Sequence, residues 1–204
     1  MWHFLKSGGV FMIPLVLTSI VGLAFIIERG LALRWDKVIP PEIGDAAENC
    51  APDGLGELRQ LCVDRPSTFS RLLLVAADHL PRPRDENVDA IQTHARHEIL
   101  QLERGLVVLE IIVGIAPLLG LVGAISGLIT LFSGLGETAI IDNARIAKGI
   151  AEVLNTTLAG LLIAIPSLIA WSYYNKKIET LAVEMETLCD KFLRRQYRDR
   201  KQRI

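Results

Sequence analysis

The sequence predicts an all-α membrane protein with three transmembrane helices, the second and third extended into a cytoplasmic helical bundle. Two observations carry this prediction. The chain is 50% hydrophobic, with its apolar residues gathered into three long stretches, whereas a soluble domain of this length would show amphipathic periodicity throughout. Charged sequence separates and follows the stretches: the formal net charge is only −1, but residues 35–105 lean acidic and the tail from Lys176 is basic.

Four segments follow from this pattern: an N-terminal transmembrane helix over 1–34, a cytoplasmic helical loop over 35–105, a two-span core over 106–175, and a basic helical tail over 176–204. The first span, Gly9 to Ile27, is closed by Glu28-Arg29 and is long enough to cross a bilayer core of roughly 30 Å. Pro14 lies within it and no small-x-small cleavage site follows, so it reads as a retained anchor rather than a signal peptide. The loop contains an amphipathic helix marked by Phe69, Leu72, Leu73, Ala76 and Leu80 and ended by Pro81-Arg82-Pro83, because proline disfavours helical geometry in the residue before it. A second helical stripe, Val88, Ile91, Ala95, Ile99, Leu102 and Leu106, runs into the next span.

Span two covers Leu106 to about Ser133, with Glu110 near its start, and span three covers Gly149 to Asn175, ending in Trp171, Tyr173 and Tyr174. Aromatic residues at the end of a span read as an interfacial belt. Beyond it, Ile178, Leu181, Met185, Leu188 and Phe192 follow a heptad-like seam. Arginines and lysines flank the loop and fill the tail, while the other side offers only Lys6, Arg145 and Lys148. The positive-inside rule therefore predicts a periplasmic N-terminus and a cytoplasmic loop and C-terminus.

Polar residues inside the spans are the candidate functional groups. Glu152 sits near the start of span three, followed by Asn155, Thr156 and Thr157. Ionisable groups in a span are costly and usually face a bundle interior or a wet path. Helical geometry puts Glu152, Asn155, Thr156 and Ser167 on one face, suited to a pore wall, and Thr157 about 140° from Glu152. Thr157 is then expected to face a neighbouring helix, the small-residue side of span two being the candidate. Two readings without transport compete: a Lys148–Glu152 pair one turn apart, and a Thr157 hydroxyl that only bonds the Val153 carbonyl. On span two, Ala116, Gly120, Gly123, Ala124 and Gly127 form a stripe that allows close helix approach. Ser126, Thr130 and Ser133 occupy another side, either wet or bonded back to their own helix. Pro117 and Pro166 sit inside spans as kink positions.

Cys50, Cys62 and Cys189 lack metal-ligand spacing and read as reduced cytoplasmic thiols. No His-Glu-x-x-His, nucleophile elbow or P-loop is present. The prediction is a protein that is not an enzyme, with no cofactor, no metal and no nucleic-acid partner.

Ala116-Pro117-Leu118-Leu119-Gly120-Leu121-Val122-Gly123-Ala124-Ile125-Ser126-Gly127 resembles the span-two signature of the ExbB/TolQ/MotA family. Gly149-Ile150-Ala151-Glu152-Val153-Leu154-Asn155-Thr156-Thr157-Leu158-Ala159-Gly160-Leu161, continued to Ile165-Pro166, resembles its span-three signature. The opening, Gly8-Gly9 through Met12 and Pro14 to Glu28-Arg29, resembles the shorter ExbB-type members. MotA-type stators carry a fourth span, so three spans look more like ExbB or TolQ. The resemblance implies a homopentamer in the bacterial inner membrane, with spans two and three lining a central pore. It further implies an ExbD/TolR-like single-span partner in that pore, whose membrane aspartate carries the proton, and coupling to a TonB/TolA-like protein. Proton-motive force would then drive mechanical work for import or envelope maintenance; a scaffold without ion flux and a MotA-like motility stator are the alternatives. By this resemblance Glu152 and Thr157 match the family's pore glutamate and span-three threonine. Ala124 departs from the threonine that many members carry, which removes a hydroxyl from the ion path and disfavours sodium.

Overall fold

The computed structural model describes residues 10–136 and 143–202. His3, Lys6 and the Gly8-Gly9 motif lie outside the described residues. Among the described residues the regular structure is entirely helical: α1 (Met12–Ala32), α2 (Trp35–Val38), α3 (Pro41–Asn49), α4 (Leu55–Asp64), α5 (Thr68–Asp78), α6 (Arg84–Glu103), α7 (Leu106–Gly136) and α8 (Asn143–Gln202). Three of these, α1, α7 and α8, are long and apolar enough to cross a membrane. The first helix runs past its expected end at Ile27 to Ala32. No helix break follows Asn175, and α8 continues as one helix of 60 residues, about 90 Å at 1.5 Å per residue.

The stripe expected to run unbroken from α6 into α7 is interrupted at Arg104-Gly105, between the end of α6 and the start of α7. Arg104 itself keeps right-handed helical geometry, with φ −47 and ψ −42.

The chain divides into two compact units. One combines the residues up to Glu28 with Gly105–Tyr173; the other combines Arg29–Arg104 with the residues from Tyr174 onward. The second unit has a conventional core. Phe69, Leu72, Leu73 and Ala76 of α5 pack with Ile43 and Ala47 of α3, Leu58 and Cys62 of α4, and Ile91 of α6. The seam Leu181, Met185, Leu188 and Phe192 of α8 completes it. Ser67 caps α5 by accepting from the Ser70 N–H at 3.0 Å, the role a serine at the N-cap plays. Asn87 is fully buried and donates to the Ala76 carbonyl and to the Tyr197 hydroxyl. Tyr197 in turn donates to the Arg82 carbonyl at 2.8 Å, which fixes the proline-bounded turn between α5 and α6.

The first unit packs differently. Its contacts set large side chains against alanines: Met12 and Leu15 of α1 against Ala159 of α8, and Ile112 of α7 with Ala116 of α7 and Ala164 of α8. Large apolar side chains on all three helices, among them Ile20, Leu118 and Leu162, remain exposed. That is the outward surface a membrane helix offers to lipid or to another subunit.

Candidate functional site: the α7–α8 hairpin

The seam between α7 and α8 is built from positions without room for a larger side chain. A Cβ on Gly120 would lie 3.0 Å from the Thr156 carbonyl oxygen and 3.2 Å from the Thr157 Cα. One on Gly127 would lie 2.8 Å from Val153 Cγ2, and one on Gly160 would lie 2.5 Å from the Ala116 carbonyl oxygen. Backbone therefore meets backbone, as small-residue stripes in membrane helices allow. The α8 half of the seam consists of Val153, Thr156, Gly160 and Ala164. It passes unnoticed in the sequence beside the more conspicuous polar residues, although its three- and four-residue spacing matches that of Gly120, Gly123 and Gly127.

This seam corrects the expected face assignment for two residues. Thr156 and Ser167, grouped with Glu152 on a pore-wall face, are each only 2% exposed. The Thr156 methyl occupies the notch at Gly123, where a Cβ would lie 2.5 Å from it. Ser167 lies beside Gly22 of α1. Their hydroxyls donate to their own helix, Thr156 to the Glu152 carbonyl at 3.2 Å and Ser167 to the Ile163 carbonyl at 2.8 Å. Backbone bonding of this kind removes the cost of burying a hydroxyl, so the small side chain serves packing. Phase explains the rest: an i+4 step advances about 40° around the helix, enough to carry Thr156 from the edge of the seam into it.

Glu152 and Asn155 are half-buried, and Thr157 is half-buried with its backbone against Gly120. Among the described residues no ion pair or side-chain hydrogen bond joins Glu152 to Lys148. The competing interfacial pair is therefore not formed in this structure. On α7, Ser126 is half-buried and Thr130 exposed. Thr130 donates to the Ser126 carbonyl and Ser133 to the Thr130 carbonyl, each at 3.0 Å. The hydroxyl protons are thus held by the helix, while the oxygen lone pairs stay open. Ala124 is 7% exposed and lies beside the glycine stripe. Pro117 and Pro166 are inside α7 and α8, which continue through both. Among the described residues no group of three or more His, Cys, Asp or Glu could hold a metal.

The fold and this hairpin define a multi-pass helical membrane protein whose polar groups are clustered on two tightly apposed spans. The model of the MotA/TolQ/ExbB proton channel family matches residues 67–187, and the chain belongs to that family. The matched region is wider than the predicted two-span core, taking in α5, α6 and the first part of the α8 seam, Leu181 and Met185, as well. A Synechocystis sp. protein named ExbB-like 1, of the biopolymer transport type, is 35% identical over 180 residues, covering 83% of this chain and 68% of the relative. An ExbB homolog of Methanothermobacter thermautotrophicus is 31% identical over 176 residues, covering 85% of this chain and 62% of the relative. The Tol-Pal system protein TolQ of Pseudomonas aeruginosa is 26% identical over 210 residues, covering 94% of this chain and 90% of the relative.

Proposed function

We propose that this chain is the wall-forming subunit of an inner-membrane motor that converts proton-motive force into mechanical work on periplasmic or outer-membrane partners. The work supports energised import or envelope maintenance; the relatives are named for biopolymer transport and for the Tol-Pal system. The subunits form a pentamer around a single-span, ExbD/TolR-like partner, with a TonB/TolA-like protein beyond it. The N-terminus is periplasmic and the C-terminus cytoplasmic. Protons pass along the surface carrying Glu152 and Thr157, and the partner supplies the group that carries them.

The observation behind this reading is the state of Glu152. It is a carboxylate at the end of a membrane span, half-exposed and without an ion-pair partner among the described residues, beside a closely packed seam. An unpaired acid there is stable when its exposed side meets water or a second protein group rather than hydrocarbon. The test is proton flux in proteoliposomes containing the co-purified complex. Glu152→Ala and Thr157→Ala are expected to lower flux and coupled function while native mass spectrometry still finds the pentamer. Wild-type flux in both variants overturns the residue assignment.

One observation favours the scaffold alternative. Ala124 leaves the α7 side of the seam without a hydroxyl at that position. A wild-type complex that passes no protons, with the partner present, would establish it.

A further inference from the structure

Glu110 is the other acid inside a span. It lies on α7 one turn from the start of the helix, is exposed, and has no ion pair or hydrogen bond to its carboxylate among the described residues. Its place around α7 is informative. Leu109, Ala116 and Gly120 form the buried stripe of α7, and Ile111, Leu118 and Val122 form its exposed apolar stripe. At 100° per residue, Glu110 falls between the two, about 100° from the centre of each. Pro117, Leu121, Ala124 and Leu128 share this border, within about 40° of Glu110.

The side of the hairpin that this border faces can be read from contacts. The opposite edge of the buried stripe meets α1: Ile112 packs against Gly22, and Gly123 lies near Phe11. Gly120, on the edge nearer Glu110, meets the Thr157 backbone. Glu110 and Ala124 therefore lie on the Thr157 side of the hairpin, away from α1. The level is also set. Gly127 sits against Val153, next to Glu152, so Glu152 lies at the height of Gly127. Glu110 is 17 residues lower on α7, about 25 Å along the axis and close to the thickness of a hydrocarbon core of roughly 30 Å. Two unpaired carboxylates thus bracket the apolar length of one hairpin.

We propose that Glu110 is a second carboxylate of the ion path, placed at its cytoplasmic mouth. There its negative charge draws protons out of the apolar stretch towards bulk water. This rests on the proton-path reading given above for the hairpin. A fixed negative charge at a low-dielectric mouth concentrates cations locally, and the same charge facing hydrocarbon would be a net cost without a role.

The test is proton flux per assembled complex in proteoliposomes, using the full chain with its co-purified partner. Glu110→Gln is expected to lower flux about ten-fold, the lower end of what a charge-focusing mouth gives, and Glu110→Asp to keep most of it. Glu110→Cys extends the test by charge rescue. A negatively charged sulfonatoethyl methanethiosulfonate should restore flux, and its cationic trimethylammonium counterpart should not. Cys50, Cys62 and Cys189 are buried and provide a low background, measured on the wild type. Flux at the wild-type level in Glu110→Gln, or equal responses to both reagents in Glu110→Cys, overturns the proposal. If the wild-type complex itself carries no protons, the proton-path reading fails instead, and the two failures are told apart.

Discussion

A Cβ on Gly160 would stand 2.5 Å from the carbonyl oxygen of Ala116 and 3.2 Å from the Gly120 Cα. No side-chain rotation relieves a contact with backbone, so α7 and α8 would have to separate. Gly160→Ala is therefore expected to destabilise the hairpin by about 2 kcal/mol, within the usual cost of overpacking. Thermal unfolding of the purified complex in detergent would show it as a lowered midpoint. An unchanged midpoint would mean that the seam is looser than the structure has it.

Gly123 gives a more selective version of the same experiment. The nearest atom its Cβ would meet, at 2.5 Å, is the Thr156 methyl, with the Phe11 Cβ next at 3.1 Å. Gly123→Ala alone should cost about 1 to 3 kcal/mol. Thr156→Ser removes that methyl and keeps the hydroxyl that donates to the Glu152 carbonyl. The double variant should recover most of the loss, giving a coupling energy of about 1 kcal/mol or more, as touching residues do. Strict additivity in the double-mutant cycle would contradict the packing described for Thr156.

The contrast between Thr156 and Met185 shows where the sequence could be read and where it could not. The a/d seam of the tail repeats every three or four residues, and each member, from Ile178 to Phe192, is buried. A regular apolar period against polar flanks leaves one solution for such a helix. In the spans the apolar signal is nearly uniform, so it locates a helix without saying which way each face points. Thr156 looks like a pore residue because it is polar, and it is placed by its size. The Gly120–Gly127 stripe was legible because close approach selects for glycine, whereas its counterpart on α8 is written in Val, Thr, Gly and Ala and carries no single residue type. The break at Arg104-Gly105 has no apolar signature either, since the stripe continues across it.

Arg71 and Glu98 join α5 to α6 through two parallel hydrogen bonds, Arg71 Nε to Glu98 Oε1 at 2.7 Å and Arg71 Nη2 to Glu98 Oε2. The hydrogen bond to Glu98 raises the Arg71 pKa. The partners are unequally buried, the Glu98 side chain being 9% exposed and that of Arg71 48%. Arg71→Met strands a carboxylate in the core and is expected to cost about 2 kcal/mol, below the full penalty for a buried pair because the arginine side is open. Glu98→Gln leaves a guanidinium that water can reach, and should cost about 1 kcal/mol or less. Denaturant unfolding of the two variants tests the asymmetry; equal losses would mean that burial of Glu98 is not what gives the pair its weight.

Burial pushes the Cys62 thiol up to about 11, with neighbouring Cys50 adding to the effect. It pushes Cys189 up to about 12, with Glu186 adding. In the unfolded chain a thiol titrates near about 8.5. Below that pH both states hold their protons and these thiols leave stability unchanged. Above it the unfolded chain gives up protons that the folded unit keeps, so stability falls as pH rises from about 8.5 towards the folded values. The slope is about 1 kcal/mol per pH unit for each thiol within that window. Unfolding midpoints at pH 7.5 and pH 10 should therefore differ more for the wild type than for a Cys62→Ala/Cys189→Ala variant, in which this share of the slope is gone. Equal slopes would show that the thiols are open to ionisation in the folded protein. Iodoacetamide offers a direct check: the native protein should resist alkylation at both residues at pH 8, and the denatured chain should react at both.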